Sequence, residues 1–169
     1  ANFIGKTTPF TFNPKPFPII ALAVSGGHTQ LILMREIGQY KILGETRDDA
    51  AGECFDKTAR ILGLPYPGGP QIAEQAEKFK IKNSKLKINL PRPMIHQKNY
   101  DFSFSGLKTA VLYHWKSQPP KIRKSKKYIQ AMAFEIQQAI IDVLIHKTIK
   151  AAQEYSAKTI ILGGGVASN

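Results

Sequence analysis

The chain has 169 residues, of which 43% are hydrophobic and 21% are charged, a composition that can bury a core and excludes a disordered chain. A single cysteine excludes a disulfide framework and a metal site built from cysteines, and no apolar run is long enough to predict a membrane span. The formal net charge is +12, from 24 Lys and Arg against 12 Asp and Glu, so the protein is suited to acidic partners.

The first 45 residues predict an extended segment followed by a β-meander. Residues 1–18 contain four prolines, which exclude a helix and predict an extended lead-in. Three short apolar or alternating runs then predict strands at 19–24, 29–35 and 40–45, joined by tight glycine-containing turns.

The turn between the first two strands, residues 25–28 with the sequence SGGH, is a candidate anion site. Glycines allow backbone N–H groups to approach a phosphate closely, and the flanking serine and threonine add hydroxyl groups. An ordinary β-turn would need only one glycine and is the competing interpretation. Ser25 lacks the glycine spacing and the strand-to-helix turn that a nucleophilic serine requires.

Two helices are predicted next, at 48–62 and 70–79, with Asp48 and Asp49 capping the first and Pro70 opening the second. Asp48, Asp49, Glu53 and Asp56 lie close together along the first helix, where four acids could hold a divalent metal or bind ribose hydroxyls. The alternative is helix capping plus a surface ion pair between Asp56 and Arg60.

The region from residue 78 to residue 134 carries the positive charge. It has 14 Lys and Arg but one acid, Asp101. We expect irregular structure over 80–103 with a strand around 87–90, a helix over 105–115, and a charged connector over 117–127. Such a region attracts RNA or DNA, or it is a solvated lysine-rich surface.

A long apolar stripe predicts a helix over 128–156, and residues 159–162 predict a buried strand that runs into the glycine turn 163–169. The four histidines lack metal-ligand spacing, and His114, His146 and Cys54 are interpreted as ordinary helix and core residues. The pattern predicts a mixed α/β sheet with helical cover. The chain lacks an initial Met and stops in a glycine turn, so we expect an internal fragment of a longer protein.

Five motifs stand in the order in which the TsaD family, formerly called Gcp or glycoprotease, carries them. They are 24–31 (VSGGHTQL), 45–57 (ETRDDAAGECFDK), 62–70 (LGLPYPGGP), 101–110 (DFSFSGLKTA) and 164–169 (GGVASN). The resemblance to this family covers residues 18–169, and the TRDDAAGE form is similar to bacterial or organellar members rather than archaeal ones.

The resemblance implies an actin-like ATPase fold, shared with sugar kinases and heat-shock ATPases, in which residues 1–18 lead into an incomplete second lobe at 19–169. It implies transfer of a threonylcarbamoyl group from its adenylate to N6 of adenosine 37 in tRNAs that read ANN codons. The implied localisation is cytoplasmic, and the implied partners are tRNA, TsaB-like and TsaE-like proteins, and a TsaC-like enzyme that supplies the adenylate.

The same resemblance implies which residues bind ATP or threonylcarbamoyl-adenylate. These are Ala23, Val24, Ser25, Gly26, Gly27, Asp56, Gly69 and Asn169. The family's single divalent metal, iron or zinc, is bound by a His-x-x-x-His pair and an aspartate that these residues do not include, so we expect no metal site in this chain and no activity of the fragment alone. No catalytic residue is assigned.

The basic region supplies a candidate tRNA surface at Lys121, Arg123, Lys124, Lys126 and Lys127. The sequence leaves other functions open. They are a phosphotransferase of the same fold with Asp56 as its acid, a non-catalytic RNA-binding module, and the older metalloprotease assignment, which lacks a His-Glu-x-x-His motif.

Overall fold

The computed structural model describes residues 16–79 and 86–168. Most of the predicted lead-in, residues 1–15, and the site residue Asn169 lie outside the described residues.

The described strands form one mixed sheet. β1 (Ile19–Val24), β2 (Thr29–Glu36) and β3 (Gln39–Glu45) make an antiparallel meander, and β4 (Thr159–Gly163) pairs in parallel with β1, giving the order β3-β2-β1-β4. The predicted meander and the mixed α/β class are therefore confirmed. Alternate residues of β1 and β2 are buried, because one face of the sheet meets the helices.

The described helices differ in length. They are α1 (Ala51–Ile61), α2 (Gly68–Glu77), α3 (Ser105–Ser117), the single turn α4 (Pro120–Arg123) and α5 (Lys126–Glu154), followed by a 3-10 turn over Gly165–Ser168. α5 packs on β1, while the others pack on α5 or on one another. α5 is apolar and long enough to cross a membrane by length and composition, but 56% of its most apolar window is buried inside the protein. It is the central helix of the core, where Met132, Ile136 and Ile140 are fully buried.

The predicted capping of α1 by Asp48 and Asp49 is wrong. α1 starts at Ala51 with Ala50 as its N-cap, and the Glu53 carboxylate accepts a hydrogen bond from the Ala50 N–H at 3.3 Å. Asp48 instead accepts hydrogen bonds from the backbone N–H groups of Phe104 at 2.8 Å and Ser105 at 3.2 Å. It therefore caps α3, because an acceptor there satisfies N–H groups that the helix leaves free.

The second helix begins earlier than predicted. α2 starts at Gly68 rather than Pro70, because the Asp56 carboxylate accepts a hydrogen bond from the Gly68 N–H at 2.7 Å and satisfies the first turn from outside the helix.

No strand forms at 87–90, so that prediction is wrong. The N–H of Leu90 donates to the Glu135 carboxylate at 3.1 Å instead of pairing in the sheet. Arg92 forms ion pairs with Glu135 and Asp142 and thereby ties this irregular segment to α5.

β4 is a strand as predicted, but it is not buried. It is an edge strand of the described sheet, and Ile160 and Leu162 remain 40% and 54% exposed. With Ile145 and Ile149 of α5 they line an apolar groove of about 360 Å³.

Candidate functional site

A cleft of about 360 Å³ lies at the carboxyl ends of β1 and β4, where three glycine-containing turns meet. The turns are the β1–β2 connection, the α1–α2 connection and the 3-10 turn after β4. The lining residues are Gly26, Gly52, Phe55, Asp56, Tyr66, Pro67, Gly69, Pro70, Gly165, Val166 and Ser168. In open α/β sheets this edge is the usual place for a ligand.

The β1–β2 turn, whose Gly26 lines the cleft, has free hydrogen-bond donors. It is closed by the Ser25 N–H donating to the His28 carbonyl at 2.8 Å and by the His28 N–H donating to the Ser25 hydroxyl at 3.1 Å. The N–H groups of Gly26 and Gly27 have no partner within the described residues. Adjacent free amides at a tight turn can hold an anion such as phosphate.

Asp56 faces this turn from α1, and its two oxygen atoms have different surroundings. One oxygen accepts the Gly68 N–H at 2.7 Å, and the other has no partner within the described residues. Gly69 follows immediately and its N–H is also free among the described hydrogen bonds. The cleft therefore offers a carboxylate acceptor next to a helix N-terminus, a pairing that suits ligand hydroxyl groups beside a phosphate.

Close backbone packing holds the three turns together. A Cβ atom on Gly164, whose φ is +97°, would lie 2.1 Å from the Val24 carbonyl oxygen, and one on Gly52 would lie 2.6 Å from the Ser25 carbonyl oxygen. Only glycine permits these approaches. The N–H of Gly52 also donates to the Ser25 carbonyl at 3.2 Å, which fixes α1 against the β1–β2 turn.

The structure brings the predicted nucleotide residues together with one exception. Gly26, Asp56 and Gly69 line the cleft. Ala23, Val24, Ser25 and Gly27 adjoin Gly26 in the chain but are not lining residues, and Val24 lines the apolar groove instead. Asn169 lies outside the described residues. Tyr66 also lines the cleft and is 81% exposed, and it was not predicted as a site residue from the sequence. An aromatic residue held between Pro65 and Pro67 was the available signal.

The four acids predicted as a possible metal cluster have separate tasks. Asp49 is buried and pairs with Lys57 at 2.7 Å and Lys108 at 3.2 Å, and Glu53 pairs with Lys57 at 2.8 Å. The expected Asp56–Arg60 ion pair is not formed, although both residues are described. Of the four acids, Asp56 lines the cleft.

Asp48 has a pKa below its usual value of 3.8. Partial burial acts to raise this pKa, but hydrogen bonds from the side chains of Ser103 and Ser105 and from the N–H groups of Phe104 and Ser105 outweigh it. The carboxylate is thus held ionised as a helix cap.

The described residues do not provide a metal site. Across 16–79 and 86–168, no three His, Cys, Asp or Glu side chains are placed to hold an ion. His96 and His146, which are far apart in sequence, pack edge to face with ring centroids 5.6 Å apart. His114 shares a 2.9 Å hydrogen bond with the Tyr128 hydroxyl. Cys54 lies in the core, where burial raises the pKa of its thiol to about 12 and excludes a reactive thiolate.

The five basic residues predicted to contact tRNA lie away from the cleft. They occupy α4, the turn after it and the first turn of α5, and the four lysines among them are exposed. None of the five is among the described residues that line the cleft.

Comparisons with known proteins give one consistent result. Residues 6–169 match the family model described as TsaD, tRNA N6-adenosine threonylcarbamoyltransferase. Curated relatives with that name are similar to this chain in Francisella philomiragia (50% identity over 90% of this chain and 44% of the relative), Anoxybacillus flavithermus (51%, over 90% and 43%) and Herminiimonas arsenicoxydans (52%, over 92% and 44%). The chain spans less than half the length of these relatives.

Proposed function

This chain belongs to the TsaD family of tRNA N6-adenosine threonylcarbamoyltransferases, and we propose that its cleft holds the adenylate from which the full-length protein transfers a threonylcarbamoyl group to tRNA. The acceptor is N6 of adenosine 37 in tRNAs that read ANN codons. The observation that carries the proposal is the convergence of three glycine turns and Asp56 on one cleft.

Each part of the cleft has a proposed task. The free N–H groups of Gly26 and Gly27 bind the phosphate, and the unpartnered oxygen of Asp56 accepts hydrogen bonds from the ribose. The 3-10 turn and Tyr66 form the walls against which the base packs. A flat, exposed aromatic side chain suits such a stacking contact.

The reaction forms a bond between N6 and the carbamoyl carbon and breaks the bond from that carbon to a phosphate oxygen. AMP leaves and N6 loses a proton. Negative charge increases on the departing phosphate, so the amides of Gly26 and Gly27 stabilise the transition state if they remain in contact with it. The role of these residues is binding and orientation, and the base that removes the proton is not assigned.

The fold proposal is that residues 19–169 form an incomplete second lobe of an actin-like ATPase. Its support is the sheet, in which an antiparallel meander is extended by a parallel strand and the cleft lies at the carboxyl ends of the two parallel strands. The lead-in at 1–18 falls mostly outside the described residues and stays a prediction.

The family's divalent metal, iron or zinc, would activate or orient the substrate when bound. The described residues do not fit such a group, because Asp56 is the one carboxylate that lines the cleft and no three His, Cys, Asp or Glu side chains among the described residues are placed to hold an ion. Its ligands are therefore proposed to lie elsewhere in the full-length protein. TsaB-like and TsaE-like partners, a TsaC-like enzyme that supplies the adenylate, and a cytoplasmic location are part of the same proposal.

The test is formation of the modified nucleoside in tRNA. The full-length protein and its Asp56→Asn and Glu77→Gln variants would be incubated with the adenylate and tRNA, and the nucleosides would be measured by mass spectrometry. Glu77 is an exposed acid at the far end of α2 and serves as the matched control. We expect loss of product for Asp56→Asn alone. Phosphoryl transfer without threonylcarbamoyl transfer would instead identify a phosphotransferase.

A further inference from the structure

One end of the molecule concentrates positive charge. It comprises the end of α3, the α4 turn and the start of α5, and we call it the basic cap. Its six members are Lys116, Lys121, Arg123, Lys124, Lys126 and Lys127. The sequence has no Asp or Glu between Asp101 and Glu135, so the cap has no acid of its own.

Among the described residues, the positive charges of the cap are not paired with acids, unlike those of some other lysines. Lys57, Lys78, Lys108 and Lys150 each form an ion pair, whereas no cap residue pairs with an acid within the described part of the chain. The four lysines at 121, 124, 126 and 127 are exposed. Close like charges without counter-charges repel each other, and a polyanion relieves that repulsion.

The cap is also held in shape. The Arg123 guanidinium lies 4.2 Å from the centroid of the Trp115 ring, which links α4 to α3. The Ser125 hydroxyl accepts the Tyr128 N–H at 3.3 Å and fixes the start of α5. The charges are therefore presented by a folded surface rather than by a loose tail.

The cap lies on the cleft side of the molecule. The last residues of α5 lie next to the first residues of β4. Because α5 has 29 residues and β4 has five, the beginning of α5 extends past the carboxyl end of that strand. Ile141 still contacts the groove beside Val166, and the 15 residues from there back to Lys126 span about 22 Å. α2 connects the two regions, since it begins at the cleft and Phe79, just beyond its end, packs on Phe134 of α5 at 5.5 Å.

We propose that the basic cap binds the phosphate backbone of an RNA hairpin whose target base enters the cleft. Phosphate contacts supply affinity and orientation without reading sequence, which matches a surface of lysines that lies outside the cleft. A mononucleotide in the cleft cannot reach the cap, whereas a stem-loop can. The inference rests on the proposed function, because it takes tRNA as the acceptor.

An acidic lipid surface is the competing partner for clustered lysines. Stable membrane anchoring needs a second signal beside the charges, such as a broad apolar face. α4 has four residues, and Ile122 is its one large apolar side chain that is exposed. The structure therefore favours RNA.

The experiment compares two triple charge reversals in the full-length protein. The test variant is Lys121→Glu, Lys124→Glu and Lys127→Glu. The control is Arg35→Glu, Lys41→Glu and Lys158→Glu, three exposed cations at the opposite end of the sheet. Both change the net charge equally, so a general charge effect would affect both. A third variant has glutamine at the three cap positions. It removes the positive charges without introducing acids and so controls for local misfolding caused by the charge reversals.

Binding of an anticodon stem-loop RNA would be measured by fluorescence anisotropy over a salt series, with AMP binding measured separately. We expect the cap variant to reduce the slope of log affinity against log salt by about 2 to 3, from about 0.7 to 0.9 per lost phosphate contact. The control should keep the slope, and all variants should bind AMP equally.

Equal slopes for the cap and control variants would overturn the inference while leaving the cleft proposal intact. If the unaltered protein does not bind AMP, the proposed function would be overturned instead. Vesicles containing phosphatidylserine provide the lipid arm, and binding to them that depends on the cap, with unchanged RNA binding, would assign the surface to a membrane.

Discussion

Replacing Asp56 with Asn separates the two tasks of its carboxylate. One oxygen caps α2 through the Gly68 N–H at 2.7 Å, and the other is free within the described residues. Asparagine keeps an oxygen for the Gly68 N–H but presents an amide N–H₂ group where the proposed ribose hydroxyls would donate. The folded state is therefore retained while the ligand loses its charged acceptor.

The expected magnitude follows from these two contacts. A hydrogen bond to a charged group contributes about 1.5 to 3 kcal/mol, so Asp56→Asn should weaken adenylate binding about 10- to 150-fold. Its free energy of unfolding should change by less than about 0.5 kcal/mol. Asp56→Ala also removes the cap and leaves the buried Gly68 N–H unpaired, which adds a destabilisation of about 1 to 3 kcal/mol.

Isothermal titration calorimetry with AMP and urea unfolding provide the two measurements on the same preparations. Glu77→Gln controls for the loss of one negative charge on a neighbouring surface. Unchanged AMP affinity in Asp56→Asn would refute the assignment of Asp56 to the ribose, and equal destabilisation by Asn and Ala would refute the capping argument.

Three further substitutions test separate parts of the reasoning. Gly164→Ala should lower the free energy of unfolding by about 2 to 5 kcal/mol in urea, because its Cβ would meet the Val24 carbonyl at a positive φ, whereas Gly163→Ala has open space and should be mild. Tyr66→Ala should weaken AMP binding by about 1 kcal/mol without changing the melting temperature, since Tyr66 is largely exposed; an unaltered affinity would remove it from the site. The folded-state pKa of Asp48 lies below 3.8, so its contribution to the stability of the fold is present above that pH and is lost as the pH falls below it. Asp48→Asn should therefore flatten this part of the acid-unfolding curve. A curve as steep as that of the unaltered protein would contradict the capping of α3.

Sequence periodicity predicted the elements whose contacts are local. The meander was readable from alternation and glycine turns, and α5 from its apolar stripe, because both patterns repeat within a few residues. The exposure of β4 could not be predicted, since an apolar strand has the same sequence pattern at the edge of a sheet as at its centre.

The remaining errors share a different cause, because they depend on partners that are remote in sequence. Asp48 caps a helix that begins more than 50 residues later, and Glu135 draws Leu90 away from strand pairing. The glycine turns and Asp56 could be assigned to one site through the ordered motifs of the family. Tyr66 was missed because its position at the rim depends on how the α1–α2 turn packs.

The most direct measurement is a crystal structure of the full-length protein with a non-transferable threonylcarbamoyl-adenylate analogue. The prediction is a ribose hydroxyl within hydrogen-bonding distance of Asp56 and the phosphate against the N–H groups of Gly26 and Gly27. An analogue bound elsewhere, for example in the depression beside Arg92 and His96, with the glycine cleft empty, would contradict the proposed adenylate site.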